Sequence, residues 1–238
     1  LFKSREMRLS FGLINSIFFS ACMALPTFLV SVSPMLADSL EIKNYGHSSI
    51  LISGGGKSVL LNPFKAVGCA SGLVEPNISA DVILSSSLLP DEGAKNIAQG
   101  LFLVKPGSYK INGFIYEGIA SPHDRVGGRR FGMTTLWKWK QGGLTFVHLG
   151  GAAAPLTIED RLLIGLPDVL FIAVGGGAKI YNGQEAANIV SALKPKIVIP
   201  VQYQLRDNKK KQNCDQEGIE SFLEAMEDYT VEKVGKKY

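Results

Sequence analysis

Val169-Leu170-Phe171-Ile172-Ala173-Val174 and Ile197-Val198-Ile199-Pro200-Val201 are two short runs made entirely of apolar residues. Such runs are typical of strands that are buried on both faces, and these strands need helices packed over them. A helix is predicted between them over Gln184–Leu193, ended by Pro195. A further helix is predicted before them over Ile158–Leu166. Helices that alternate with buried strands predict an α/β domain.

The part of the chain before this α/β segment reads as short strands separated by glycine and proline. The predicted strands are Leu40–Lys43, Ser48–Ser53, Ser58–Leu61, Asp81–Ser85, Leu101–Val104, Phe114–Ala120, Thr134–Lys140 and Leu144–His148. After the α/β segment we predict a helix over Gln216–Met226 and a closing strand over Thr230–Val234. This order predicts two packed sheets with helices outside them, a four-layer αββα sandwich that forms one domain.

One predicted strand contains both tryptophans of the chain. Leu136-Trp137-Lys138-Trp139-Lys140 alternates apolar and basic residues, which is the period of a half-exposed strand. We expect an edge strand whose lysines face water, rather than a surface on which nucleic-acid bases stack.

Composition and charge exclude several classes of protein. The 238 residues suit one ordinary domain, and 46% hydrophobic with 19% charged residues exclude a disordered chain. The net charge is +4, and Lys3, Arg5 and Arg8 supply part of it before residue 38. The remainder is nearly balanced, so we expect no nucleic-acid partner.

The N-terminal segment has the layout of an export signal. Three basic residues precede the apolar run Leu9–Val32, and small residues up to Ala37 precede Asp38. We predict a signal peptide over residues 1–37 and a folded domain over 38–238. The run is long and contains Pro26, and its length is near the roughly 20 residues that span a bilayer. An uncleaved anchor is therefore the second interpretation, and a lipoprotein processed at Cys22 is the third.

All three interpretations place the domain outside the cytoplasm, in a periplasm or a thylakoid lumen, with membrane contact only through the N-terminal segment. Cys69 and Cys214 are the cysteines of the predicted domain. A disulfide between them suits an oxidising compartment. Two unpaired thiols are an equal alternative, since cysteines so far apart in sequence specify no geometry.

Several motifs carry a resemblance to a known family. Asn44–Ser49 followed by an apolar strand and then by Leu61–Phe64 resembles the opening of the metallo-β-lactamase superfamily. The branch it is most similar to contains small metal-dependent hydrolases related to ascorbate-phosphate lactonase. Further similar segments follow in the same order: Ala80–Leu84, Ser121–Asp124, Gly127–Arg130, Val147–Gly150, Val174–Gly177 and Lys194–Pro200. The resemblance spans residues 40–203 and implies the αββα fold.

The resemblance also implies a chemistry. Members hold a hydroxide between two metal ions, usually zinc, that are bound by five histidines and two aspartates. Four of these ligands come from a His-x-His-x-Asp-His motif. The metals lower the pKa of bound water and clamp the oxygens of the tetrahedral intermediate.

Most of these ligand positions are occupied by other residue types in this chain. The four motif positions fall on Ser87, Leu89, Asp91 and Glu92. The remaining three fall on His148, Gly151 and Gln202. Asp91 and His148 are the surviving ligands, and Glu92 is a replacement that can still bind a metal. A complete structural zinc site is worth on the order of 10 kcal/mol, and two scattered ligands do not recover that free energy.

We therefore expect no cofactor, or at most a single divalent metal (zinc, manganese or iron) on Asp91, Glu92 and His148. His47 and His123 lie near the pocket in the resembled family, and with Asp91 they are the catalytic candidates. They either belong to a rebuilt single-metal or acid–base site, or they are remnants bonded within a reduced cleft. We favour remnants.

The sequence thus predicts an exported, divergent hydrolase homologue without binuclear metal catalysis, a pseudoenzyme that binds a small molecule or a protein in its cleft. The alternative is an active metal-dependent hydrolase of small lactones, esters or phosphate-bearing compounds. We interpret three other motifs structurally. These are Arg129–Arg130 as solvated or structural, Gly175–Gly177 as a loop passing close to the cleft, and Lys209–Lys211 as an exposed loop.

Overall fold

The computed structural model describes residues 2–3, 39–204 and 214–232. The predicted export segment lies outside the described residues except for positions 2 and 3, and so does its boundary at residue 37. Cys22 and Lys209–Lys211 lie outside them too. In the described part of the chain, no helix has the length and apolar character that crossing a membrane requires.

In the described residues, thirteen strands form two sheets. They are β1 Phe2–Lys3, β2 Glu41–Gly46, β3 Ser49–Gly54, β4 Lys57–Leu61, β5 Ser79–Leu84, β6 Gln99–Leu103, β7 Gly107–Ile111, β8 Phe114–Pro122, β9 Met133–Gln141, β10 Leu144–His148, β11 Val169–Ala173, β12 Ile197–Val201 and β13 Thr230–Val231. The larger sheet has the order β13-β1-β12-β11-β10-β9-β8-β7, and the smaller has the order β2-β3-β4-β5-β6. Both are mixed, with β10–β11–β12 and β4–β5–β6 parallel.

The described α-helices are α1 Ile158–Ile164, α2 Gly183–Leu193 and α3 Glu220–Ala225, and a 3₁₀ turn covers Gly68–Ala70. Thr157 and Asn182 begin α1 and α2 with capping boxes, because each accepts a bond from the third helical N–H while that residue's carboxylate bonds back. These caps fix where the two helices start.

The main core lies between the two sheets. It contains Ile50, Ile52 and Val59 from the smaller sheet and Trp137 and Phe146 from the larger one, all inaccessible to solvent. A second cluster joins the helices to the other face of the larger sheet. A third, small cluster of Leu60, Ala80 and Ile83 contains no helical residue. The predicted fold class, two packed sheets with helices in a single domain, is confirmed.

Two predictions at the level of elements are wrong, and one strand was missed. The strand with both tryptophans, β9, lies between β8 and β10 instead of at an edge. Trp137 and Trp139 are buried because the second sheet packs on their face. The edge strand β7 was not predicted, and α3 is shorter than the predicted helix over Gln216–Met226.

A disulfide joins Cys69 to Cys214 across 145 positions of sequence, with the two Cα atoms 4.7 Å apart. It ties the 3₁₀ turn after β4 to the segment before α3. The sequence left open whether these two cysteines are paired or are free thiols, and the structure shows them paired.

Candidate functional site

The candidate residues follow the ends of strands at one edge of the two sheets. Because parallel strands present their carboxyl ends at the same edge, the loops after them meet there. Ser87, Asp91 and Glu92 lie after β5, His123 after β8, His148 at the end of β10 with Gly151 beyond it, and Gln202 after β12. The fold therefore brings together the positions that the sequence had singled out.

Glu92 is at the centre of this group and is completely buried. Its Oε1 atom lies 2.8 Å from Nε2 of His123 and accepts a hydrogen bond of 2.8 Å from the Ser87 hydroxyl. Its Oε2 atom accepts a bond of 3.2 Å from the side-chain amide of Gln202. Ser87 and Gln202, two positions at which the resemblance implies a metal ligand, thus both donate hydrogen bonds to Glu92.

The protonation of Glu92 follows from these contacts. Burial raises the pKa of the Glu92 carboxyl, but the His123 contact, the charge of Lys179 and the Ser87 hydroxyl lower it to about 2. Glu92 is therefore a carboxylate at neutral pH whose oxygens are already occupied by protein donors.

Gly151 lies directly against this pair. A Cβ atom at position 151 would lie 2.6 Å from Oε2 of Glu92 and in closer conflict with Nε2 of His123. Any side chain at this position would collide with the Glu92–His123 pair. Glycine is thus the residue that lets the pair fill this space.

Asp91 is taken up by a different partner. Its Oδ2 atom lies 2.7 Å from Nζ of Lys179, and the two side chains are 14% and 18% exposed at the rim of the site. The positively charged ammonium group of Lys179 lies beside the carboxylate that the sequence analysis had assigned to a metal. The sequence analysis did not identify Lys179 as a site residue. The pattern that could have indicated it is a lysine shortly after Gly175–Gly177.

His148 is completely buried at the end of β10. Among the described residues neither ring nitrogen has a hydrogen-bond partner, and the ring meets Phe171 edge-on at 6.2 Å between centroids. Burial lowers the pKa of His148 to about 4, against the opposing charge of Glu92. The imidazole is therefore neutral at physiological pH.

His47 lies in the turn between β2 and β3. Its carbonyl accepts a bond of 2.8 Å from the backbone N–H of Gln202. His47, Gln202 and Asn62 are three of the five described non-glycine residues with positive φ. Asn62 links the opening motif to the loop after β5, since its side chain exchanges bonds with the N–H and hydroxyl of Ser86. Such backbone conformations persist where the surroundings enforce them.

Asp124, which the sequence did not single out as a site residue, organises the loop after His123. Its carboxylate accepts four backbone N–H bonds, from Val126, Gly128, Arg130 and Phe131. Burial raises the pKa of Asp124, but these four bonds lower it to about 2. The signal for this role was an aspartate directly before a loop that contains Gly127–Gly128.

The Arg129–Arg130 and Gly175–Gly177 segments lie in loops of the described structure. Arg129 and Arg130 are exposed in the turn that Asp124 organises, in agreement with the solvated interpretation. Gly175 packs so tightly on the carbonyl of Gln202 that a side chain there would collide with it. The glycine loop therefore passes close to the cleft, as expected.

A sequence comparison decides the family. The sequence model of the β-lactamase superfamily domain matches residues 41–202. The chain belongs to this superfamily. The match includes every candidate residue of the site, from His47 to Gln202.

Two of the proteins that are similar to this chain are named as metal-dependent hydrolases. A UPF0173 metal-dependent hydrolase of Lysinibacillus sphaericus is 25% identical over 198 residues, which cover 69% of this chain and 85% of that protein. A proposed Zn-dependent hydrolase of the metallo-β-lactamase superfamily from Thermotoga maritima has a TM-score of 0.62 and 26% identity, covering 78% and 85% of the two chains. A protein from Parabacteroides distasonis shares the fold with a TM-score of 0.59 at 16% identity, covering 80% and 90%.

The donor set of this chain does not fit the two-metal centre of the superfamily. Leu89 and Gly151 supply no donor, Asp91 is bound by Lys179, and the Glu92 carboxylate is held by protein donors. Among the described residues, no three His, Cys, Asp or Glu side chains are grouped so that they could hold a metal ion.

Proposed function

We propose that this superfamily member works without the binuclear metal centre, as a binding or scaffold protein. The observation that carries the proposal is the Glu92–His123 pair packed against Gly151. The pair fills the position of a ligand side chain with protein groups, since Oε1 of Glu92 lies 2.8 Å from Nε2 of His123. A carboxylate that already accepts bonds from Ser87 and Gln202 has little to gain from a metal ion.

The rim of the site is where a ligand would bind. Glu92, His123 and His148 are inaccessible to solvent, whereas Asp91 and Lys179 are partly exposed and Leu88 is 67% exposed beside them. A charged pair next to an exposed leucine suits a small polar molecule or a protein segment with both polar and apolar groups. Chemistry at the buried pair would require the loops to open.

Calorimetric titration of the purified full chain with Zn²⁺, Mn²⁺ and Fe²⁺ tests this proposal. We expect no saturable binding, and a melting temperature unchanged by excess metal or by chelator, because a bound ion would stabilise the fold by linkage. The Ser87→His variant is the matched control, since it restores one histidine of the motif. Tight binding of one or two ions to the unmodified chain would contradict the proposal.

A second function is favoured by one observation, the neutral buried imidazole of His148 without a hydrogen-bond partner among the described residues. A neutral imidazole next to a carboxylate is what a metal-assisted or acid–base hydrolase uses. In this alternative Asp91, Glu92 and His148 serve turnover of small lactones, esters or phosphate-bearing compounds. Asp91 would first have to leave Lys179.

The test of the alternative is a panel of such substrates assayed with Mn²⁺, Zn²⁺ and Mg²⁺. Turnover that disappears in His148→Ala and survives in Arg129→Ala, a change on the exposed turn, would support an active site. Absent turnover, or turnover equal in both variants, would leave the non-catalytic function as the better one.

We also propose that the protein works outside the cytoplasm. The layout of residues 1–37 supports this, and so does the Cys69–Cys214 disulfide, since such bonds persist in oxidising compartments. Cell fractionation combined with thiol labelling before lysis tests the proposal. Protein found in the cytoplasmic fraction with both thiols reactive would contradict it.

A further inference from the structure

The Cys69–Cys214 disulfide lies at the rim of the candidate site. Cys69 is in the 3₁₀ turn after β4, where a Cβ atom on Gly68 would lie 3.9 Å from the Oδ2 atom of Asp91. Asp91 is the rim carboxylate that is paired with Lys179. One half of the disulfide is therefore next to this ion pair.

The other half of the disulfide belongs to the 214–217 segment, which packs on the loop after β11. The carboxylate of Asp215 accepts a bond of 2.8 Å from the backbone N–H of Ala178. The N–H of Glu217 donates a bond of 2.6 Å to the carbonyl of Gly175. The segment is thus bonded to the loop directly before the lysine of the rim pair.

These contacts form a closed ring. From the turn after β4 the ring runs through the disulfide to the 214–217 segment and on to the loop after β11, and it returns through the ion pair between Lys179 and Asp91. A partly exposed ion pair is a weak link, because water screens it and two side chains must be held in one geometry. The covalent disulfide is the stronger of these two links.

The two sides of the ring are each fastened to a different loop. The turn after β4 is held to the loop after β5, since the N–H of Lys65 donates a bond of 2.7 Å to the carbonyl of Pro90. The 214–217 segment is held to the loop after β11, as described above. If the disulfide opens, the two sides can therefore separate where Asp91 meets Lys179.

This line of separation is next to the buried part of the site. Glu92 follows Asp91 in the chain, and Lys179 is close enough for its charge to act on the Glu92 carboxylate. Glu92, His123 and His148 are inaccessible to solvent, whereas both cysteines of the disulfide are partly exposed. A reductant can thus reach the bond from solvent while the buried groups are still covered.

We propose that the Cys69–Cys214 disulfide is a redox switch that controls access to the candidate site. A dithiol opens it in two exchange steps: one thiolate attacks a sulfur of the bond, and the second thiolate of the dithiol resolves the mixed disulfide. Two electrons and two protons pass to the protein, which then carries two cysteine thiols, and the dithiol leaves as a disulfide. The loop after β11 then separates from the turn after β4. This regulation rests on the proposed binding function, since the opening is where a ligand would enter.

Amide hydrogen exchange of the full chain, with neither metal nor ligand added, tests this switch. The oxidised protein is compared with protein reduced by dithiothreitol, at times before the core strand β11 exchanges. We expect exchange over residues 66–71, 88–92 and 175–180 to accelerate about tenfold on reduction, because the ring has lost its covalent link and opens locally more often. Exchange over α1 should stay unchanged.

Variants separate the contribution of the disulfide from that of the ion pair. Cys69→Ser/Cys214→Ser should show the fast exchange without reductant and should not respond to reductant. Lys179→Gln in the oxidised chain should accelerate exchange at the rim less than reduction does, because the disulfide still joins the two sides. The matched control is Lys196→Gln, which removes an ion pair with Asp168 before β11 and should leave exchange at the rim unchanged.

Equal exchange at the rim in the oxidised and reduced proteins would overturn the switch. Acceleration of α1 to the same extent as the rim would also overturn it, because reduction would then loosen the whole domain. Either result would leave the proposed binding function intact, since no ligand and no metal takes part in the measurement.

Discussion

A Cβ atom on Gly151 would lie 2.6 Å from the Oε2 atom of Glu92, well inside van der Waals contact. The backbone of Gly151 and the carboxylate of Glu92 are therefore packed so closely that no further atom fits between them. The resemblance described in the sequence analysis implies an aspartate at this position. The glycine and the buried carboxylate are parts of one arrangement.

Gly151→Ala should destabilise the fold by about 2 kcal/mol, because the added methyl group must displace Glu92 and His123. Urea denaturation measures the change. The same substitution in a His123→Ala background should cost clearly less, since the nearest conflicting atom is then absent. Equal costs in both backgrounds would show that the crowding around Gly151 is not what the structure describes.

Glu92→Gln should destabilise the fold by about 3 kcal/mol, because it replaces a buried acceptor with an amide that faces three donors. Asp91→Asn is the matched control. It weakens a partly exposed pair with Lys179 and should cost about 1 kcal/mol or less. If the two variants had equal stability, Glu92 would not be the centre of the site.

The sequence was sufficient for most of the fold, and the structure brings together the positions that the sequence analysis predicted for the site. Apolar runs such as Val169–Val174 and the helix signal before Pro195 are local patterns, so they predict their elements well. The strand over Gly107–Ile111 was missed because five residues with a glycine at the start carry no strong alternation. β9 was assigned to an edge because its lysines alternate outward, although neighbouring strands cover both of its sides.

The pairing within the site could not be read from the sequence. Thirty-one positions separate Glu92 from His123, and Lys179 lies 88 positions from Asp91. Which donor meets which carboxylate depends on loop conformations with positive φ, as at His47 and Gln202. The sequence predicted that metal ligands are replaced, and the structure adds which side chains at these positions contact one another.

Removal of the disulfide should destabilise the protein more than any single polar contact. In the chain-entropy description, a crosslink between residues 145 positions apart contributes roughly 3–5 kcal/mol. Cys69→Ser/Cys214→Ser should lower the urea midpoint accordingly. Reductant should lower the midpoint of the unmodified chain and leave that of the variant unchanged. A midpoint insensitive to both changes would mean that the bond is not formed.

The stability of the fold should depend on pH through His148. Its pKa is lowered to about 4 by burial, so between pH 6.5 and 4 the unfolded chain binds a proton that the folded chain does not. The contribution of His148 to the free energy of unfolding is therefore fully present above pH 6.5. It decreases by about 3 kcal/mol as the pH drops to 4.

His148→Gln should remove this part of the pH dependence, as measured by urea denaturation at a series of pH values. The loss of stability of the unmodified chain below pH 4 has other contributions, because carboxylates such as Asp124 then become protonated. Parallel curves for the two proteins between pH 6.5 and 4 would mean that His148 is charged in the fold.

Elemental analysis of the native full chain tests most directly whether protein groups have replaced the metals. The protein is produced in medium supplemented with zinc, manganese and iron, dialysed without chelator, and measured by plasma mass spectrometry. We predict well under one equivalent of each metal per chain. One or two equivalents of any of them, retained after dialysis and lost together with thermal stability on chelation, would contradict this.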